Sequence, residues 1–115
     1  MKFGMIYRQG EIVIVPFPFS DLSSVRQRPV LILSKDKDNE KVEDVITCGI
    51  TSNLKNSGHS VLIDNSDLEE GRIPVRSRIK VDKLFTLDKS TIIKKIGRVN
   101  NSIFKGVKRE FDSLV

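Results

Sequence analysis

Arg28-Pro29-Val30-Leu31-Ile32-Leu33-Ser34 sets one arginine ahead of a short continuous apolar run, and Ile50-Thr51-Ser52-Asn53 closes a second apolar run with a hydroxyl pair. Val30–Leu33 has the unbroken apolar character of a buried strand, and Asp44–Thr51 reads as another. An arginine at the start of one strand and a threonine at the end of another can meet on one rim of a small barrel. A fixed positive charge and a hydroxyl at that rim are suited to gripping a phosphodiester.

The flanking segments supply the rest of such a barrel. Met1–Gln9 is a loosely held lead-in with Phe3, Ile6 and Tyr7 available to pack. Glu11–Phe19 is strongly β-forming, and Pro16 and Pro18, which cannot donate ladder hydrogen bonds, predict that this strand ends or lies at an edge there. Ser20–Gln27 is a polar loop leading to Arg28, and Asp36–Glu40 a charged turn. Ser60–Asp64 is a fourth strand, and Asn65–Gly71 a short turn or single helical turn ended by Gly71. Arg76–Val81 predicts a fifth strand with Arg76, Arg78 and Lys80 on one face and Ser77, Ile79 and Val81 on the other. Thr86–Ile92 reads as a helical turn and Ile93–Val99 as a sixth strand. Asn100 offers an N-cap to a helix whose apolar stripe is Ile103, Phe104, Val107, Phe111 and Leu114. Five or six short strands and one terminal helix predict a mostly β fold, a small, mostly antiparallel barrel. Parallel βαβ units are excluded because no crossover helices are present.

Composition narrows the function classes. The 115 residues are expected to form a single domain over 1–115, with 38% hydrophobic and 30% charged residues. No stretch approaches the ~20 apolar residues of a membrane helix and no signal-peptide apolar region opens the chain, so a cytoplasmic location is expected. Cys48, the one cysteine, lies in an apolar run and reads as a small buried hydrophobe. The net charge of +5 is unevenly spread: residues 36–70 hold nine acidic and three basic side chains, whereas 72–98 hold nine basic and two acidic. A block like the second is expected of a protein that binds a phosphate backbone or an acidic peptide.

Conventional catalytic equipment is sparse. His59 is the single histidine and reads as a solvated loop residue, so a two-histidine acid–base ribonuclease is excluded. Metal-ligand spacing is missing, since Asp36, Asp38 and Glu40 start like a calcium loop but lack its glycine and closing glutamate. No cofactor is expected, for want of a phosphate-cradling glycine loop. Arg28 stands out because Pro29 and the strand behind it hold its backbone while the side chain can point off the rim. A preorganised guanidinium presents a planar fork to phosphate oxygens and never loses its charge. RNA carries its own nucleophile in the 2′-hydroxyl, so cleavage needs little beyond charge stabilisation and positioning. Thr51 is placed to hydrogen-bond the same phosphate.

Gly10-Glu11-Ile12-Val13, Pro16-Phe17-Pro18-Phe19-Ser20-Asp21 and Arg28-Pro29-Val30-Leu31-Ile32-Leu33-Ser34 together resemble the N-terminal signature of the MazF/PemK (Kid) toxins. Ile50-Thr51-Ser52-Asn53 is similar to that family's second motif and Lys83-Leu84-Phe85-Thr86-Leu87-Asp88 to its third, in the same order, over roughly residues 9 to 114. The resemblance implies a toxin of a type II toxin–antitoxin system. Such a toxin is a sequence-specific, metal-independent endoribonuclease with an SH3-like barrel, acting as a homodimer and neutralised by an antitoxin with an acidic disordered segment. It also implies that Arg28 and Thr51 are catalytic. Gln27, Ser52, Asn53, Ser77, Arg76, Arg78 and Lys80 are then candidates for holding RNA. The first loop departs from the family pattern: Asp21-Leu22-Ser23-Ser24-Val25-Arg26-Gln27 has no glutamate, Asp21 can substitute only if the loop folds back, and the identity of the base stays open.

Two functional classes follow, an endoribonuclease and a non-catalytic binding module on the same barrel, since a related fold poisons DNA gyrase by binding alone. The Arg28/Thr51 pair discriminates them, because a pure binder has no need of it.

Overall fold

The computed structural model of the chain describes residues 6–18, 25–56 and 58–115. Phe3, Phe19, Asp21 and most of the first polar loop therefore lie outside the described residues. Seven strands, β1 (Glu11–Pro18), β2 (Val25–Ile32), β3 (Asp44–Thr51), β4 (Ser60–Ile63), β5 (Leu68–Gly71), β6 (Ser77–Asp88) and β7 (Lys94–Val99), form one sheet in the order β4-β6-β3-β2-β1-β7-β5. All its pairings are antiparallel. Two helices, α1 (Asp36–Lys41) and α2 (Asn101–Asp112), complete it.

Connectivity explains why the sheet curls. β4 and β5 are its two edges, yet only residues 64–67 join them. Seven strands about 4.8 Å apart would put the edges of a flat sheet about 29 Å from each other, beyond the reach of about 17 Å that the joining segment has. The sheet must bend into a half-barrel. Asp64 and Asp67 fix the joint with a capping box, and Asn65 clamps it to Ile73 through both its amide atoms (3.1 and 2.8 Å).

Strand alternation gives the sheet two apolar faces. Ile12, Leu31, Cys48, Ile50, Ile79 and Val81 face one core, which α2 covers with Val107 and, half-buried, Ile103, Phe104 and Leu114. Twelve residues make a marginal helix in isolation. Packing therefore holds it, assisted by the Asn100 N-cap, whose Oδ1 accepts from Ile103 N (2.8 Å), a contribution of about 1 kcal/mol. Phe111, assigned to the same stripe, is instead exposed. Val13, Val15, Val30, Ile32 and Val45 form the core of the opposite face, together with Tyr7 and Ile92.

Several boundaries differ from those the sequence predicts. β2 begins at Val25, so Arg28 stands inside a strand and not at its start: cross-strand pairing with β1 carries the polar Arg26 and Gln27 into the ladder. Asp36–Glu40 is part of helix α1, stabilised by Asp36 and Asp38 in its first turn and by buried Asn39, whose Nδ2 donates to Tyr7 O (2.8 Å) and Ser34 O (3.0 Å). Asn65–Gly71 splits into a 3₁₀ turn (Asn65–Asp67) and strand β5, and β6 runs twelve residues, well past Val81. The helical turn expected at Thr86–Ile92 shrinks to a 3₁₀ turn at Lys89–Thr91.

The prolines of β1 do mark an edge. Ile14 O accepts from Ile93 N (2.8 Å), so Pro16 and Pro18, two and four residues on, direct their missing N–H to the β7 side, past the last β7 pairing at Ile14.

Candidate active site

Pairing register, more than spacing along the chain, brings the site together. Val30 of β2 lies opposite Gly49 of β3, and Gly49 lies opposite Lys80 of β6. Continuing the β2/β3 register by two residues sets Arg28 against Thr51, on the same face as Val30 and Gly49. The ladder itself stops at Val30, because Pro29 follows with no N–H to give. The strands part there, and the gap between Arg28 and Thr51 becomes a cleft of 460 Å³. Arg28, Val30, Gly49, Thr51, Asn53 and Phe85 line it, with Lys55, Lys80 and Lys83 around them. Four permanent cations thus surround one opening, although Lys80 also lies 3.9 Å from Asp82.

Thr51 and Asn53 shape the loop beside the cleft. Asn53 N donates to Thr51 Oγ1 (3.1 Å), and Lys55 N donates to Asn53 Oδ1 (3.1 Å). These two side-chain turns lead Lys55 back to the opening. From below, Arg78 pins the same loop: Nε donates to Leu54 O (3.1 Å) and Nη1 to Ser60 Oγ (3.0 Å) and Asn56 Oδ1 (3.4 Å).

The predicted ligand-holding residues divide among several places. Asn53 and Lys80 share the cleft with Arg28 and Thr51. Gln27, Ser52 and Ser77 line an adjoining hollow of 300 Å³ that shares Arg28, Pro29 and Ile50 as a wall. Ser77 is buried there and donates to Val75 O (2.9 Å). Arg78 is only 9% exposed and engaged with the loop, while Arg76 precedes β6 and helps hold the Asp64 carboxyl below its usual range, behind the larger effect of the Ser66 hydrogen bonds. Arg78 and Lys80 do share a face of β6, opposite Thr51 and Gly49, but Arg78 is turned to the loop and Arg76 lies outside the strand, so the three do not form one open basic face. Arg78→Met is expected to lose about 1–2 kcal/mol of stability, read as a lower denaturant midpoint, because Leu54 O, Asn56 Oδ1 and Ser60 Oγ lose their charged donor.

The basic block as a whole is not one surface either. Arg98 pairs with Glu69 (2.6 Å) and Glu70 (3.0 Å), Lys95 with buried Glu11 (3.0 Å), and Lys89 donates to Asn39 O (2.6 Å). Glu69 and Glu70 of the acidic segment thus fold against Arg98 and Lys95 of the basic one. Lys55, Lys83 and Phe85 were not singled out as site residues. Lys83 and Phe85 sit in the third family-like motif, and a bulge hides their orientation: Cys48 pairs with Leu84 but Gly49 with Lys80, so Val81, Asp82 and Lys83 are extra and the alternation changes phase.

His59 lies in the loop before β4, partly solvated as expected, and also reaches α2: Nδ1 lies 3.2 Å from Glu110 Oε1 and 3.0 Å from Ser113 Oγ. Both contacts use one ring nitrogen, so no Ser–His–Glu relay is formed. Cys48 is buried as expected, its thiol pushed up to about 12 by burial, with Asp82 adding to the effect. Among the described residues no group of three His, Cys, Asp or Glu could hold a metal ion, and no helix is long and apolar enough to cross a membrane.

Residues 8–115 match the family model described as PemK-like, MazF-like toxin of type II toxin–antitoxin system. Comparison with curated proteins gives no match. Among solved structures, a MazE–MazF structure from Deinococcus radiodurans superposes with a TM-score of 0.77 at 20% identity, covering 95% of each chain. An endoribonuclease from Mycobacterial species gives 0.76 at 20% identity, covering 97% of this chain and 93% of its own. An endoribonuclease in complex with its cognate antitoxin, also from Mycobacterial species, gives 0.75 at 20% identity over 93% and 92%. At such identity the likeness establishes the fold, a curled antiparallel sheet with a C-terminal helix.

Proposed function

The chain belongs to the PemK-like, MazF-like toxin family of type II toxin–antitoxin systems, and from that premise we propose that it is a sequence-specific, metal-independent endoribonuclease acting on single-stranded RNA in the cytoplasm. The observation that carries this reading is the cleft that Arg28 and Thr51 line together, with Lys55, Lys80 and Lys83 around them.

The reaction needs an in-line attack of the ribose 2′-oxygen on the adjacent phosphorus. The P–O5′ bond breaks, the 2′-hydroxyl proton passes to a base, and the departing 5′-oxygen takes up a proton. The products are a 2′,3′-cyclic phosphate and a 5′-hydroxyl. Negative charge grows on the non-bridging oxygens, and a guanidinium already in place meets it without reorganising. Thr51 supplies a hydroxyl to the same phosphate, and the lysines hold the neighbouring ones.

The expected partner is an antitoxin whose acidic, disordered segment lies along the same cations and competes with RNA. Lys55, Lys80 and Lys83, and not Arg76 and Arg78, are the side chains it would meet. A homodimer would double the cleft by symmetry. Incubation of the purified protein with a long RNA and a chelator tests the assignment. Discrete fragments with 5′-hydroxyl and 2′,3′-cyclic phosphate ends are expected, and intact RNA that is merely bound would overturn it.

A further inference from the structure

We propose that the same cleft holds one unstacked nucleobase against the ring of Phe85, in a slot that exists because residue 49 is glycine. The proposal rests on the reading of the cleft as a single-stranded RNA site and names what it recognises besides phosphate. Phe85 is half-buried, with part of its ring packed on the Val13/Val30/Ile32 core and part lining the cleft. It is the cleft's aromatic side chain, set among Val30, Ile50 and the aliphatic stems of Lys80 and Lys83.

Gly49 has no conformational need to be glycine, since it is not among the residues with positive φ. A Cβ there would lie 3.5 Å from Lys83 Cβ and 4.0 Å from Phe85 Cε1, both ordinary contacts. The fold accommodates a Cβ at 49, and that Cβ would point into the cleft. A bulkier residue would project into the space between the Lys83 stem and the Phe85 ring. An apolar, planar floor inside a ring of four cations is complementary to a flat base carried on an anionic backbone. Every base has a π-face, so this slot favours unpaired strands over duplex without choosing among bases. Sequence choice is left to other contacts.

The test uses single-stranded DNA of mixed sequence, which lacks the 2′-hydroxyl and is not cut, beside the same strand made abasic. Wild-type protein should bind the base-bearing strand at least about ten-fold more tightly than the abasic one. Phe85→Leu, which keeps the core contact, should shrink that preference to about two-fold or less, and Phe85→Tyr should keep it. Gly49→Val should lose it with an unchanged melting temperature, and Gly49→Ala should weaken it partly. An equal preference in wild type and Phe85→Leu, or full preference in folded Gly49→Val, overturns the proposal. Cleavage is scored separately on RNA. A protein that discriminates bases but never cuts keeps the slot and loses the endoribonuclease reading, and one that cuts without the discrimination does the reverse.

Discussion

Arg28→Ala should lower RNA cleavage by a factor on the order of 10²–10³, with the fold intact. The side chain springs from the middle of β2, where Arg28 pairs with Val15, and neither apolar core depends on it. In the proposed reaction its loss removes a preorganised donor from the place where phosphate charge develops. Because that charge peaks in the transition state, kcat should fall more than binding of uncleavable single-stranded DNA weakens. Arg28→Lys should restore little: an ammonium carries the charge but not the planar pair of donors. Lys83→Ala is the control, since a lysine on the cleft rim that only steers phosphates should change KM more than kcat. Wild-type rates in a folded Arg28→Ala protein would remove the assignment.

What was legible in the chain follows from the range over which each signal acts. Asp44–Thr51 and the Asn100-capped helix were legible because periodicity and capping are local. Strand β5 was not, since Leu68-Glu69-Glu70-Gly71 has little β character of its own. It becomes a strand because the curled sheet presents β7 to it, because Arg98 pairs with Glu70, and because Gly71 adopts φ +74° where a Cβ would strike Ile96 O. Arg28 and Thr51 could be picked out individually, but what makes them face each other is the Val30–Gly49 pairing, a long-range fact. Arg78 shows the converse failure. Strand alternation places it on a basic face, yet Leu54, Asn56 and Ser60 accept from its guanidinium and turn it into an internal strut. The cleft's aromatic floor was hidden for a third reason, a three-residue bulge that shifts the phase of β6.

Thr51→Val should cost about ten- to a hundred-fold in kcat/KM, while Thr51→Ser stays within about three-fold of wild type. The magnitude is that of a hydrogen bond to a charged group, about 1.5–3 kcal/mol. Valine matches threonine in shape and strand preference, so β3 and its pairing with β6 through Arg78 should survive. The hydroxyl alone is removed. In the structure one lone pair of that hydroxyl accepts from Asn53 N, and in the proposed reaction its O–H proton donates to a phosphate oxygen. The two tasks separate with Asn53→Ala, which leaves Thr51 intact but deletes the second turn bond, from Lys55 N to Asn53 Oδ1. If Thr51 touches the reacting phosphate, Asn53→Ala should raise KM through a displaced Lys55 and leave kcat nearly unchanged, whereas Thr51→Val lowers kcat. Matching kinetic losses in the two variants would reduce Thr51 to a positioning residue for the loop, and a fully active, folded Thr51→Val protein would leave it no part in the reaction.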